Sequence, residues 1–108
     1  MGQGKLTVEA LERFLPEKMA KIDLFQSARL LVGLNCLEPG QSQPSHSHES
    51  ADKFYFVVRG QAEFTVGDST VEARTGELVL CPAGTPHGIK RALVRTTILV
   101  GIAPWQAK

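Results

Sequence analysis

Short segments rich in apolar and β-branched residues, each closed by a turn containing glycine or proline, recur along most of the 108-residue chain. The turn signals come about every 8–12 residues, which is typical of an all-β sandwich or barrel. The predicted strands cover residues 22–24, 28–37, 54–58, 62–66, 70–74, 78–81, 89–91 and 93–102. Because no helical segment lies between successive strands, the pattern excludes a parallel α/β fold.

A short helical segment is predicted before the first strand. Its apolar residues recur at helical spacing: Val8, Leu11, Phe14 and Leu15. Thr7 is placed to act as the N-cap, and Pro16 ends the pattern because proline cannot continue a helix.

Length and charge limit the function classes that remain open. A chain of 108 residues suits one compact domain, which we assign to residues 1–108. Twelve Lys and Arg against eleven Asp and Glu give a net charge of +1, and the charges are interspersed, so we expect neither nucleic-acid nor membrane binding. No apolar stretch follows residues 1–5, which argues against a signal peptide and favours a cytoplasmic location. Cys36 and Cys81 are expected to be small buried apolar residues.

The chain contains three histidines, and each lies in a stretch dense in Pro, Gly and Ser. His46 and His48 are two positions apart, so in an extended segment both side chains project from the same face. Imidazole nitrogens bind divalent Fe, Mn, Ni, Cu or Zn, and three such ligands leave coordination positions open. The pair alone is a weak signal, since two surface histidines in a loop would have the same spacing.

The positions of all three histidines form a two-part pattern. The first part has five residues between Gly40 and His46, then Ser47 and His48, four residues before Lys53, and six before Gly60. In the second part, five residues separate Gly76 from a proline-rich segment that ends in a histidine, followed after three residues by Arg91: Pro82, Ala83, Gly84, Thr85, Pro86 and His87.

This pattern resembles the two motifs of the cupin superfamily, here at residues 40–60 and 76–91. The resemblance implies a small jelly-roll β-barrel with one divalent transition metal on His46, His48 and His87. It also implies a homodimer, because cupins commonly associate through sheet faces. Gly40, Gly60 and Gly76 fit sharp turns with positive φ, and the prolines flanking His87 restrict its backbone.

Two positions depart from the family pattern. Lys53 stands where cupins usually have a glutamate ligand, and Arg91 where they usually have asparagine; we expect Arg91 to face solvent. Strand parity places Lys53 on the pocket face, whereas a β-bulge would place Asp52 there instead. An inward Lys53 could hold an anionic substrate group beside the metal, or act as base or nucleophile in a metal-free pocket. Alternatively, its ammonium group could reach solvent at the rim and have no chemical role.

The same parity argument extends to the neighbouring residues. Tyr55 shares the face of Lys53 and is a candidate for substrate binding, although a core position is also open to it. Phe54, Phe56 and Val58 occupy the other face and are expected to pack beneath the N-terminal segment or against a second subunit. Trp105 is expected to dock on that outer surface, away from any site.

Two functional hypotheses follow. One is a metal-dependent enzyme, of oxygenase or isomerase type by resemblance, acting on a small and anionic organic molecule with Lys53 as a catalytic residue. The other is a non-catalytic module that binds a sugar, a metabolite or a metal, since one fold serves many functions.

Overall fold

The computed structural model describes residues 4–105, which form a two-sheet β-barrel with one short helix. The elements in chain order are α1 (Val8–Leu11), β1 (Ala20–Gln26), β2 (Leu31–Leu37), β3 (Gln43–His46), β4 (Asp52–Arg59), β5 (Gln61–Val66), β6 (Ser69–Arg74), β7 (Leu78–Cys81), β8 (His87–Ala92) and β9 (Thr96–Ala103). All strand pairs are antiparallel. The all-β jelly-roll prediction is therefore confirmed.

The strands divide into two sheets whose inner faces enclose the core. One sheet has the order β1-β2-β9-β4-β7 and the other β3-β8-β5-β6. The largest fully buried core side chains come from both sheets: Tyr55, Phe64, Leu37, Ile89, Ile98 and Val57. β1 is an edge of the first sheet and β3 an edge of the second, so within residues 4–105 each leaves one side of its backbone without a neighbouring strand.

Strand β4 alternates as its sequence predicts. Lys53, Tyr55 and Val57 are buried, while Phe54 and Phe56 on the other face are half-buried. Gly101 of β9 lies opposite Phe54, and a Cβ atom there would be 2.3 Å from the Phe54 ring. The aromatic ring therefore occupies the space that the missing side chain leaves on the outer face.

The N-terminal segment differs from its predicted form. The helix is a single turn, Thr7 makes no side-chain cap, and the backbone is already extended at Glu12. Phe14 and Leu15 lie beyond the helix and pack with the cluster on the outer face of β1 and β2. Their spacing reflects burial against a sheet and does not extend the helix. No helix within residues 4–105 is long and apolar enough to cross a membrane.

The outer face of β4 and β7 has no such cover within the described part of the chain. Leu78 is 54% exposed and Leu80 is 63% exposed, beside their cross-strand partners Phe56 and Phe54. Phe54, Phe56 and Val58 are not part of the cluster that the N-terminal segment packs against, so of the two expected covers a second subunit stays the prediction. That segment covers the outer face of β1, β2 and β9 instead.

Candidate metal centre

Pairing between strands β3 and β8 brings two of the three histidines together. His46 and His87 are direct cross-strand partners. The strands approach closely beside Gly88, where a Cβ atom would lie 2.8 Å from the Gln43 carbonyl oxygen and 3.0 Å from Ser45 Cα. A glycine at this position is therefore what allows the two histidine-bearing strands to lie side by side. Strand β3 was not predicted from the sequence, because it is short and polar and contains a proline.

The third histidine, His48, lies in the loop just after β3 and turns back toward the pair. One ligand atom from each ring lies within 4.8 Å of the others. The ring centroids of His46 and His87 are 4.5 Å apart, and that of His48 is 5.2 Å from His46. Two zinc–nitrogen bonds span at most about 4.2 Å, so a metal needs only a small contraction of the three rings.

Backbone carbonyls set the tautomers of two rings. Nδ1 of His46 donates to the Pro44 carbonyl oxygen at 3.0 Å, and Nδ1 of His87 donates to that of Thr85 at 2.9 Å. With the proton on Nδ1, Nε2 carries the free lone pair that a metal requires. The Nε2 atoms of His48 and His87 are buried and have no hydrogen-bond partner in the part of the chain that the structure describes. A divalent transition metal fits this donor set, because it would satisfy these orphaned lone pairs.

The electrostatics of the cluster favour neutral imidazoles. Burial lowers the pKa of His87 to about 4. Burial, followed by smaller effects that include the charge of Lys53, also lowers the pKa values of His46 and His48. All three rings are therefore neutral at pH 7, which is the form that binds metal ions.

Lys53 points into the pocket, in agreement with strand parity. It is 5% exposed, and its Nζ donates to Nε2 of His46 at 3.3 Å while lying 4.6 Å from the centroid of the Tyr55 ring. Burial lowers the pKa of Lys53 to about 8. Asp52 points outward, where its Oδ1 accepts a hydrogen bond from the Ala83 backbone N–H at 2.9 Å. Neither the β-bulge alternative nor the solvent-reaching lysine is observed.

Tyr55 is placed beneath the cavity and has no exposed surface. Its hydroxyl donates to Oε1 of Gln43 at 2.6 Å, and Gln43 lines the cavity. Tyr55 thus orients a wall residue, and its role in substrate binding stays a prediction. Arg91 faces solvent as expected, where it pairs with Glu63 at 2.8 Å.

A cavity of about 160 Å³ opens beside the histidines, between strand β1 and strand β3. Its wall includes His46, His48 and Lys53, together with Lys21 and Asn35. Sequence reasoning missed the last two. Asn35 had a signal, because it is a polar residue in the middle of an otherwise apolar strand.

Trp105 also lines this cavity and packs against the barrel core, so the expectation that it docks on the outer surface is wrong. Its indole Nε1 is buried and has no hydrogen-bond partner among residues 4–105. The backbone N–H of Trp105 donates to the Arg29 carbonyl oxygen at 3.2 Å, which ties Trp105 to the loop between β1 and β2. Both cysteines are free and buried, as expected for small apolar residues.

Comparison with known proteins places this architecture in a family. Residues 33–94 match the family model described as the cupin domain. A solved structure from Thermus thermophilus, TT1209, has 39% sequence identity, covers 94% of this chain and 97% of its own, and superposes with a TM-score of 0.88. An RmlC-like cupin protein from Desulfovibrio desulfuricans has 29% identity, covers 96% and 98%, and superposes with a TM-score of 0.84.

An uncharacterized protein of Streptomyces coelicolor is 32% identical over 85 residues, which cover 79% of this chain and 80% of the relative. The family match includes His46, His48 and His87, the three residues that converge in the structure. The chain therefore belongs to the cupin family.

Proposed function

We propose that this protein binds a divalent transition metal through His46, His48 and His87 and is a metal-dependent enzyme acting on a small anionic organic molecule. The convergence of three neutral imidazoles, two of them with buried Nε2 atoms that lack a partner in the described chain, carries the proposal. Fe, Mn, Ni, Cu and Zn all suit imidazole ligands. Oxygenase and isomerase reactions are the classes to test first.

When bound, such a metal supplies Lewis acidity and open coordination positions for a substrate oxygen. The protein supplies the orientation. The Pro44 and Thr85 carbonyls hold the Nδ1 protons of His46 and His87, so Nε2 remains available at both rings. This arrangement avoids a tautomer change when the metal binds.

Lys53 is the residue that selects for anionic substrates in this proposal. With a pKa of about 8 it is protonated at neutral pH, so its Nζ is a hydrogen-bond donor and a source of positive charge. Its only polar side-chain contact among the described residues is His46. Once that contact gives way, the ammonium group can hold a substrate carboxylate within the cavity.

The cavity wall limits the size of the substrate. A volume of about 160 Å³ is below the ~300–1,000 Å³ of sites for drug-sized ligands. Apolar side chains such as Leu31, Val100 and Ile102 form much of the remaining wall, which keeps water away from the reacting groups.

Metal analysis of protein purified without chelator tests the first step. We expect close to one metal per chain, and loss of that metal in His46→Ala, His48→Ala and His87→Ala. Lys90→Met, an exposed change on β8, should retain it. Protein that takes up no metal even after reconstitution would refute the proposal.

Turnover tests the second step. Metal-loaded protein is incubated with panels of small carboxylic acids while oxygen consumption and product formation are followed. We expect turnover that disappears with the chelator and in the His87→Ala variant. Ligand-induced thermal shifts without any product would instead identify a binding module.

A further inference from the structure

A second polar region lies in the cavity wall, on the strands that do not carry the histidines. Lys21 of β1 and Asn35 of β2 are direct cross-strand partners, and both line the cavity. Cross-strand partners project from the same face of a sheet with neighbouring Cβ atoms. The ammonium group of Lys21 and the side-chain amide of Asn35 therefore face the same part of the cavity.

The buried side-chain amide of Asn35 requires a hydrogen-bond partner. It is 3% exposed, and its Nδ2 is buried without any hydrogen bond in the described part of the chain. A buried, unsatisfied amide lowers stability relative to an apolar side chain of similar size. A ligand acceptor in the cavity would satisfy this donor.

This region is separate from the metal centre along the barrel. Lys53 of β4 pairs with Ile102 of β9, which in turn pairs with Leu31 of β2. Asn35 lies four residues further along β2, which corresponds to about 13 Å of strand. The long Lys21 side chain narrows this gap, since Lys21 and Lys53 line the same cavity. The cavity thus has a cationic group toward each end.

The remaining wall does not cancel these charges. Asp23 is the one carboxylate that lines the cavity among residues 4–105, and it is exposed to solvent. Lys21 and Lys53 outnumber it before any metal is counted. The buried Nε1 of Trp105 adds another donor that no described residue pairs with. The polar groups of this largely apolar wall are therefore mainly donors and positive charges, and they match a ligand with acceptors at both ends.

We propose that the substrate is a short-chain dicarboxylate, with one carboxylate beside the metal and Lys53 and the second held by Lys21 and Asn35. This inference rests on the proposed function, because it assigns a substrate class to the same cavity. It adds a specificity subsite, Lys21 with Asn35, remote from the metal ligands. A monocarboxylate would leave this subsite unsatisfied.

Binding to metal-loaded protein tests the proposal. Succinate, glutarate and adipate are each compared with the monocarboxylate of equal chain length: butyrate, pentanoate and hexanoate. Trp105 is the only tryptophan of the chain and lines the cavity, so its fluorescence reports binding, and calorimetry gives the affinity. We expect at least one dicarboxylate to bind about tenfold tighter than its partner, the ratio that a charge-assisted hydrogen bond supports.

Two variants locate the preference. Lys21→Met and Asn35→Leu should each reduce the ratio of affinities to within about threefold, while Lys90→Met leaves it unchanged. Asn35→Leu should also melt at a higher temperature than wild type, because it removes an unsatisfied amide. An amide with a merely structural role predicts the reverse, a lower melting temperature with an unchanged ratio.

The outcomes separate this inference from the proposed function. Protein that binds metal but shows no preference for any dicarboxylate overturns the subsite alone. A preference that persists in both variants also overturns it. Failure to bind metal, measured in the same samples, refutes the proposed function instead.

Discussion

Replacing Lys53 should strengthen metal binding, because its ammonium group occupies the lone pair that a metal needs. In the structure, Nζ of Lys53 donates to Nε2 of His46 at 3.3 Å. A metal must break this hydrogen bond, and a hydrogen bond involving a charged group contributes roughly 1.5–3 kcal/mol. Since about 1.4 kcal/mol is tenfold in affinity, Lys53→Met should lower the metal Kd by roughly 10- to 100-fold.

Charge repulsion acts in the same direction. A cation beside a divalent ion raises the free energy of the bound state, so the hydrogen bond alone gives a lower limit. Lys53→Glu should bind metal more tightly still, because it restores a carboxylate at the position where cupins usually have one. We therefore expect Lys53→Glu to bind metal most tightly, Lys53→Met less tightly and the wild type most weakly.

The assay is competition with a chromogenic chelator, using Zn²⁺ and Ni²⁺ added to chelator-treated protein. Lys90→Met removes an exposed lysine and serves as the matched control. Circular dichroism and thermal melting establish that each variant is folded. Equal affinities for wild type and both Lys53 variants would refute the reasoning, since they would mean that Nζ does not compete for His46.

Three further predictions concern stability and association. Burial lowers the pKa of His87 from 6.5 to about 4, so between these values the unfolded chain binds a proton that the folded, metal-free protein does not. The contribution of His87 to the free energy of unfolding is fully present above pH 6.5, and the free energy should fall by roughly 3 kcal/mol by about pH 4. Urea unfolding at several pH values measures this fall, and an equally steep fall in His87→Gln would contradict the prediction. The exposed Leu78 and Leu80 should form a homodimer interface, so light scattering should give twice the 11.7 kDa chain mass and Leu80→Glu should give monomers; a monomeric wild type would exclude the dimer. Gly101→Ala should cost about 1–3 kcal/mol in denaturant unfolding, because the new Cβ would meet the Phe54 ring; a smaller loss when Phe54→Leu is added would confirm the contact, and additive losses would exclude it.

Local patterns predicted most of the fold, because alternation and turn chemistry operate over a few residues. The positive φ values predicted at Gly40, Gly60 and Gly76 are observed, and the parity of β4 places Lys53 correctly. The extent of the helix was wrong, because Phe14 and Leu15 are buried by a sheet that is distant in sequence. Helical spacing in so short a segment cannot separate these two causes.

The candidate site was predictable where a motif spans it and not elsewhere. The histidines follow from the spacing of two gapped motifs, and their convergence is observed. Lys21 and Asn35 could not be assigned, because their shared face depends on the register of β1 and β2. Trp105 was misplaced for a related reason, since its position depends on how the chain turns after β9.

The cross-strand pairing of His46 with His87 also has a consequence for how metal binding acts on the folding and unfolding rates. These residues are 41 positions apart, so the third ligand reaches the other two only after a long loop has closed. In the unfolded chain, His46 and His48 alone offer a weak chelate. Metal should therefore slow unfolding far more than it accelerates folding, because the complete ligand set belongs to the closed barrel.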